Sequence, residues 1–372
     1  MKYCTQCILP DTRPGLLIYS DGICNACKSS FEKKNIINWT ERKKAFKEVL
    51  KNSKLKSKGY DCIIPVSGGK DSTWQVVKCL SYGLNPLAVT WKTPARTRIG
   101  EKNLENLIKL GIDHIDYQIN PKVERKFMLK SLKSYGTTAL PMHMALFNIP
   151  LSIASKFNIP LIIYGENSAF EYGGDDEDKG FLLDENWLKK YGVTHGTSAQ
   201  DWISDDLSKK DLTPYFGPSS DQLKNIRAIF LGYYFNWDPQ ETLSVAQKNG
   251  FKVRTKGAKV GYYNYADIDC DFISIHHYIK WYKFGMTRLF DNLSLEIRND
   301  RLSRDEALNI LKKIGSQKPV NDIKKFCDFV HIDEEEFYAI IEKFRNKDIW
   351  KQKHNGIWHI EDFIINDWEW KE

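Results

Sequence analysis

The sequence predicts an α/β fold: a doubly wound parallel sheet, preceded by a cysteine-rich segment and followed by a helical C-terminal region. Short apolar runs alternate with amphipathic stretches between residues 60 and 164, and a helical hydrophobic period dominates residues 278–346. Strands that alternate with helices imply a parallel sheet with helices on both faces. Such sheets bind ligands beyond the carboxyl ends of their strands.

The elements follow one another in a regular order. A basic amphipathic helix over 39–51 leads through a Lys/Ser/Gly connector to an apolar strand over 60–66. Further helices are predicted over 71–82, 101–110, 123–135 and 142–156, and further strands over 87–91, 112–119 and 160–164. Gly83 and Gly111 mark two helix ends. Regularity is lost from 165 to about 220, which indicates a long insertion, and a strand-like run follows over 229–235.

Composition excludes several classes of protein. The 372 residues are 42% hydrophobic and 28% charged, as in globular proteins. No apolar stretch approaches ~18 residues, and no apolar segment follows Met1, so we expect a cytoplasmic protein without a membrane span. The net charge of +7 suits an anionic ligand such as a nucleotide, but it is too small to indicate a nucleic-acid partner.

Four cysteines near the N-terminus form two CxxC pairs, Cys4/Cys7 and Cys24/Cys27. In a reducing compartment this spacing is typical of four thiolate ligands around one tetrahedral Zn²⁺. Such a site has no open coordination position, so its role is structural. We therefore divide the chain into a zinc-ribbon segment with a linking helix (1–58), an α/β domain (59–270) with an insertion at about 171–220, and a helical C-terminal domain (271–372). The remaining cysteines are most simply buried small hydrophobic residues: Cys62, Cys79, Cys270 and Cys327.

A glycine-rich motif directly follows the first strand of the α/β region. It lacks the spacing of a Walker P-loop, which needs an earlier glycine and a Ser or Thr after the lysine. Its glycines permit close approach of the backbone to a phosphate, the start of the next helix favours an anion, and its hydroxyl and ammonium groups add donors. We interpret it as a phosphate-binding loop made of Ser67, Gly68, Gly69, Lys70, Asp71, Ser72 and Thr73.

This motif resembles the SGGxDS motif of the PP-loop ATP pyrophosphatases, which have an adenine nucleotide alpha-hydrolase-like fold. The resemblance implies that ATP binds with its pyrophosphate on the loop. It further implies adenine near Val89 and Trp91, at the end of the next strand, and Mg²⁺ held with the help of Asp71. Members of this superfamily transfer AMP to a substrate oxygen, and a nucleophile then displaces the AMP.

A closer resemblance spans nearly the whole chain. The segments 4–15 and 22–27, Tyr164-Gly165-Glu166-Asn167, and a block from Lys283 to Ala307 are similar to those of the N-acetyl sugar amidotransferases. That family converts the N-acetyl group of a lipopolysaccharide, O-antigen or other surface-glycan sugar into an acetamidino group. The residues Met286-Thr287 and Leu289-Phe290 depart from the family pattern. The resemblance implies an ATP-dependent, AMP- and pyrophosphate-forming reaction on an N-acetylated sugar that is nucleotide-linked or acidic.

Site roles follow from this chemistry. The loop backbone, Lys70 and Mg²⁺ held with the help of Asp71 would stabilise the departing pyrophosphate, and Gly165 would adjoin the nucleotide. Glu166 and Asn167, at the end of a strand, would position the acetamide, and Glu166 would accept a proton from ammonia. Three cationic residues are candidates for clamps on an anionic substrate, with ion pairs inside the fold as the equal alternative: Lys283, Arg288 and Arg298.

The sequence carries no pattern typical of a glutaminase, so we expect ammonia from a separate subunit. In similar systems this subunit is a homologue of the histidine-pathway glutaminase. The main alternative is a PP-loop tRNA-thiolating enzyme, which the isolated cysteines and the weak charge disfavour. A non-catalytic zinc-ribbon adaptor is a second alternative, but it would have no need of a nucleotide-binding loop.

Overall fold

A computed structural model of the chain describes residues 1–315 and 318–370. Within them, five parallel strands form one sheet in the order β3-β2-β1-β4-β5. The strands are β1 (Cys62–Pro65), β2 (Pro86–Trp91), β3 (Asp113–Tyr117), β4 (Leu161–Tyr164) and β5 (Arg227–Phe230). The predicted parallel, doubly wound α/β fold is confirmed.

Helices precede, connect and follow these strands. Before and within the sheet lie α1 (Asn25–Asn35), α2 (Trp39–Lys56), α3 (Lys70–Ser81), α4 (Arg98–Ile108), α5 (Pro121–Tyr135) and α6 (Leu140–Phe157). Between β4 and β5 lie α7 (Ser168–Tyr172), α8 (Glu185–Tyr191) and α9 (Ser220–Leu223). After β5 lie α10 (Leu231–Tyr234), α11 (Pro239–Lys248), α12 (Ile273–Phe284), α13 (Arg288–Arg298), α14 (Arg304–Ile314), α15 (Val320–Val330) and α16 (Glu334–Glu342).

The strands β1, β2 and β4 are buried on both faces, whereas the edge strand β3 is partly exposed. Alternate residues of β1 enter different hydrophobic clusters, since Ile63 packs with α5 and α6 while Cys62 and Ile64 pack with α2 and α3. This arrangement follows from the period of two along a strand, and it explains why the strands read as continuous apolar runs.

The connections place the reversal of strand order between β1 and β4. β2 and β3 lie on one side of β1, and β4 and β5 lie on the other. The loop that follows β1 and the loop that follows β4 therefore flank the position at which ligands bind in doubly wound sheets. The sequence places the predicted phosphate loop in the first of these loops and Gly165–Asn167 in the second.

The N-terminal segment shares its core with the C-terminal region. Its four cysteines and its apolar residues Ile8 and Leu9 pack against α13, α14 and an antiparallel hairpin of β6 (Trp350–Gln352) and β7 (Trp358–Ile360). Among the residues described, no helix is long and apolar enough to cross a membrane.

Two details differ from the sequence-based expectations. The strand predicted over 229–235 ends at Phe230, and the chain then turns into α10. The turn is fixed because Gly232 N donates a hydrogen bond of 3.0 Å to Gly165 O, and a Cβ at Gly232 would lie 3.3 Å from Glu166 Cα. The insertion is also more ordered than its composition indicates, with helical segments at α7, α8 and α9 and single 3₁₀ turns at Asp176–Lys179, Ala199–Trp202 and Thr213–Tyr215.

Candidate functional site

The backbone of the phosphate loop requires glycine at position 68. Gly68 has φ +87°, a left-handed conformation that side chains disfavour. A Cβ there would lie 2.8 Å from Gly100 O and from Leu104 N. α4 thus packs directly against the loop. This contact constrains the loop backbone at Gly68, the position at which a cradle for phosphate needs the main chain to be accessible.

Hydroxyl groups fasten the loop to the first turn of α3. Ser67 N donates to Ser72 Oγ over 3.2 Å, and Thr73 Oγ1 donates to Gly69 O over 3.1 Å. Asp269 approaches from a distant part of the chain and is hydrogen-bonded to Ser67; burial raises the pKa of this carboxyl, and the bond to Ser67 opposes the rise. A carboxyl group therefore adjoins the loop at its first hydroxyl.

Lys70 and Asp71 form a close ion pair at the start of α3. The Lys70 ammonium, which is 6% exposed, donates to both carboxylate oxygens of Asp71 over 2.7 Å and to Thr242 Oγ1 over 3.2 Å. Trp237 Nε1 donates to Asp71 Oδ1 over 2.9 Å. The lysine is buried and oriented, while the Asp71 side chain is 30% exposed.

Glu166 lies across the strand reversal from this pair. Burial, and after it the negative charge of Asp71, raise the pKa of Glu166 to about 7, and Lys70 opposes the rise. A carboxyl group that titrates near neutrality is suited to accept a proton at working pH. Asp71 and Glu166 also offer the carboxylate oxygens that Mg²⁺ prefers, together with substrate phosphates, so the residues present fit that ion.

The amide of Asn167 is engaged within the protein. Its Nδ2 donates to Asp178 O (2.9 Å) and Gly180 O (3.1 Å), and its Oδ1 accepts from Ala169 N (2.9 Å) and Trp187 Nε1 (3.1 Å). Asn167 therefore begins α7 and anchors the insertion against the end of β4. In this conformation it offers no group to a substrate.

The two residues predicted near adenine are buried in the sheet. Val89 is 1% and Trp91 is 7% exposed. Trp91 Nε1 donates to Glu124 Oε1 over 2.7 Å, and burial raises the pKa of Glu124 to about 8 against that hydrogen bond. Directly beyond Trp91 a cavity of about 340 Å³ is lined in part by Thr93, Arg96 and Glu124. A nucleoside at this edge would contact the strand end rather than the Val89 side chain.

The four predicted metal ligands are brought together. Their sulfur atoms all lie within 4.8 Å of one another, with Cys4–Cys27 at 3.9 Å and Cys7–Cys24 at 3.8 Å. Tetrahedral coordination with metal–sulfur bonds of ~2.3 Å requires sulfur atoms ~3.8 Å apart. An iron–sulfur cube, in which each thiolate binds a different iron, needs a wider arrangement. The donor set thus fits one tetrahedral ion.

Arg298 offsets part of the negative charge that four thiolates would place at this cluster. Its Nη1 lies 4.0 Å from Cys7 Sγ, and its Nη2 donates to Glu171 O over 3.0 Å. Arg298, which is 4% exposed, thus lies against the thiolates and is not at a ligand-binding surface.

Arg288 is likewise paired inside the fold. Its Nε lies 3.1 Å from Asp267 Oδ2, and its Nη1 lies 3.6 Å from Asp291 Oδ2. Burial disfavours the guanidinium charge, but the two carboxylates outweigh it and hold the pKa of Arg288 above its usual value. Of the two roles that the sequence allows, an anion clamp and an ion pair inside the fold, Arg288 has the second in this structure.

Lys283 lines a cavity of about 880 Å³. Its walls come from the N-terminal segment (Arg13–Gly15), the end of α5, the insertion and α12. Ser168, two residues after Glu166, is also on the wall. We call this space the α12 cavity. It adjoins the end of β4 and has a size typical of ligand sites.

Sequence reasoning missed several residues around the site. Trp237, Thr242 and Asp269 contact the phosphate loop or its ion pair from more than 160 residues away. No local pattern indicates that these residues contact the loop. The segment Trp237-Asp238-Pro239 has the sequence of a helix start, and the helix that begins there, α11, packs beside α3.

Comparisons with known proteins bear on the C-terminal region first. Residues 260–363 match the family model for the C-terminal domain of WbpG-like LPS biosynthesis proteins. The block from Lys283 to Ala307, whose sequence resembles that of the N-acetyl sugar amidotransferases, lies inside this match. The match confirms the resemblance of this region to LPS-biosynthesis proteins. No curated protein matches the chain.

Three solved structures share low similarity with the chain. NMN synthetase from Francisella tularensis is 17% identical in sequence, and the match covers 59% of this chain and 90% of that chain with a TM-score of 0.28. The U34-tRNA thiolase NcsA from Methanococcus maripaludis with its [4Fe-4S] cluster is 12% identical, and the match covers 92% of this chain and 89% of that chain with a TM-score of 0.32. NH3-dependent NAD synthetase from Campylobacter jejuni is 17% identical, and the match covers 58% of this chain and 96% of that chain with a TM-score of 0.28. At these TM-scores the similarity supports no conclusion about activity.

Proposed function

We propose that this chain, whose C-terminal domain is of the WbpG-like LPS-biosynthesis type, is an ATP-dependent amidotransferase acting on an N-acetylated sugar. The acetamide oxygen attacks the α-phosphorus of ATP and displaces pyrophosphate. Ammonia then attacks the imidate carbon, AMP leaves with the former acetamide oxygen, and loss of a proton gives the acetamidino group. The observation that carries the proposal is the placement of Glu166 beside the Lys70–Asp71 pair, across the strand reversal from the phosphate loop.

The loop residues would bind and orient the nucleotide. The left-handed turn at Gly68 holds the backbone in place for phosphate oxygens, and Ser67, Ser72 and Thr73 add hydroxyl donors. Phosphate oxygens would compete with Asp71 for the Lys70 ammonium and leave the carboxylate available to a cation. Mg²⁺, when bound by Asp71 and the phosphates, would neutralise charge on the leaving pyrophosphate.

Glu166 would act on the nucleophile. Attack by NH₃ forms a cationic nitrogen that must lose a proton before the amidine is complete. A carboxylate with a pKa of about 7 is deprotonated often enough at neutral pH to accept that proton. Glu166 follows the end of β4, and Ser168, two residues further on, lines the α12 cavity, which supports a role for Glu166 close to a substrate bound there.

Structural zinc belongs to the same proposal. The sulfur–sulfur distances fit one tetrahedral ion, and zinc bound by four thiolates stabilises segments too short for a core of their own. A separate glutaminase subunit would supply ammonia. Thiolation of tRNA is less well supported, because Cys62, Cys79, Cys270 and Cys327 are buried and so poorly accessible for sulfur transfer.

Product analysis tests the proposal. The full chain is incubated with ATP, Mg²⁺, ammonium and N-acetylated sugar candidates, and the nucleotide products are resolved by chromatography. We expect AMP and pyrophosphate in equal amounts, dependent on both the sugar and ammonium. ADP and phosphate, or release that depends on tRNA and a sulfur donor, would contradict it.

A further inference from the structure

The α12 cavity carries an excess of positive charge. Arg13, Lys280 and Asp291 line the cavity, and Arg288 and Asp267 lie near Lys280 outside its lining, so that three cations face two carboxylates around Lys280. The carboxylates are already paired: Arg13 lies 2.8 Å from Asp291, and Arg288 lies 3.1 Å from Asp267. Lys280 is thus the cation without a partner.

Within the described part of the chain, the Lys280 ammonium has no hydrogen-bond acceptor and no carboxylate within 4.0 Å, and its side chain is half-buried in the cavity wall. Lys283, one turn further along α12, has a single acceptor, Tyr135 O at 2.8 Å. An ammonium has three N–H donors, and these two half-buried lysines therefore present donors to the cavity that no group of the described residues accepts. Burial accordingly lowers the pKa of both lysines to about 8. An anionic ligand group in the cavity would supply acceptors for these donors and a charge opposite to theirs.

The rest of the wall suits a sugar. Aromatic rings of Tyr135, Tyr191 and Phe344 line the cavity, and His195 is stacked on Tyr135 with ring centroids 4.7 Å apart. Aromatic faces beside a few polar groups are typical of sites that bind amphipathic small molecules. The volume of about 880 Å³ accommodates a sugar together with a linked nucleotide.

One wall depends on the cysteine cluster. Arg13, Pro14 and Gly15 lie in the turn between the two CxxC pairs, and Asn25 Nδ2 donates to Gly15 O (2.9 Å) and to Gly174 O (3.2 Å). The N-terminal zinc-ribbon segment thereby contacts the insertion at the rim of the cavity.

We propose that the α12 cavity is a second anion-binding site, separate from the phosphate loop, in which Lys280 and Lys283 bind the carboxylate or phosphate group of the acceptor sugar. This inference rests on the proposed function for the identity of the ligand as acceptor. The site is formed jointly by α12, the insertion and the turn between the two CxxC pairs.

Binding in the presence of a filled phosphate loop tests this assignment. The full metal-loaded chain is saturated with α,β-methylene-ATP and Mg²⁺ and titrated calorimetrically with two probes. UDP-N-acetylglucosamine supplies a diphosphate, and N-acetylneuraminate supplies a carboxylate. We expect at least one probe to bind, and its affinity to fall about tenfold or more in Lys280→Gln and in Lys283→Gln. Lys280→Arg should retain binding, and exposed Lys102→Gln on α4 should not change it.

The probe that binds identifies whether phosphate or carboxylate is recognised. Binding of α,β-methylene-ATP to each variant, measured first, shows that the fold and the loop are intact. Absence of binding by both probes, or equal affinity in Lys280→Gln and the unchanged chain, would overturn the assignment. Since no turnover is measured, such a result leaves the adenylation chemistry standing; conversely, lack of amidine product with intact probe binding counts against the proposed function alone.

Discussion

Trp237 Nε1 donates a hydrogen bond of 2.9 Å to Asp71 Oδ1, across 166 residues of sequence. The same carboxylate accepts two bonds of 2.7 Å from Lys70. Asp71 is therefore oriented by a cation that phosphate can attract away and by an indole that remains. If phosphate binds Lys70 as proposed, Asp71 would lose its bonds to the ammonium and keep the one to the Trp237 indole.

Asp71→Asn should lower pyrophosphate release by about a hundredfold, because the variant keeps the shape of the side chain and loses its charge. Circular dichroism and unfolding temperature should remain close to those of the unchanged protein, since the side chain is 30% exposed. Asp221→Asn, on the exposed helix α9, is the matched control. Near-normal release by Asp71→Asn would place the nucleotide elsewhere.

Gly68→Ala should abolish nucleotide binding by reshaping the loop. Its φ of +87° and the 2.8 Å approach of a Cβ to backbone atoms of α4 leave no space for a methyl group. Gly59→Ala, where a Cβ meets no atom within 4 Å, should bind normally. Equilibrium binding of α,β-methylene-ATP separates the two variants, and equal affinity would show that the loop does not contact phosphate.

The pH dependence of the ammonium-driven reaction should show the titration of Glu166. The carboxylate is the active form, so the rate divided by the free NH₃ concentration should rise as pH increases through about 7 and then level off. Glu166→Gln should remove this rise and lower the rate. A profile that is flat in the unchanged enzyme would exclude Glu166 as the proton acceptor.

The cysteine cluster should hold one metal ion per chain. Elemental analysis of protein purified without chelator is expected to find zinc, and Cys24→Ser should lose the ion and unfold at a lower temperature. Cys327→Ser, a buried cysteine outside the cluster, is the matched control and should retain the ion. Iron with a visible absorption band, or no metal, would contradict a structural zinc site.

Local patterns made most of the fold and part of the site predictable. The strand–glycine–helix motif and the CxxC pairs are each contained in a few residues, so their neighbours in sequence are also their neighbours in space. Trp237 and Asp269 reach the loop only through the path of the chain after β5, and nothing beside them in sequence marks that contact.

The roles of charged and amide side chains were the least predictable. From sequence, Arg288 suits an anion clamp and an ion pair equally. Which role it takes depends on where the loop before α12 places Asp267 and where α13 places Asp291. Asn167 follows a strand end, as a substrate-binding amide would. Its four hydrogen bonds instead go to α7 and the insertion, a segment whose course the sequence does not reveal.

The most direct test of the account is mass spectrometry of an ammonium-driven reaction without glutamine. The full chain is supplied with ATP, Mg²⁺ and an N-acetylated acidic or nucleotide-linked sugar at alkaline pH, where unprotonated NH₃ is abundant. The account predicts a product in which NH replaces the acetamide oxygen, formed together with AMP and pyrophosphate; glutamine should substitute for ammonium only when a glutaminase subunit is added. Replacement of oxygen by sulfur, or an unchanged sugar alongside modified tRNA, would contradict it.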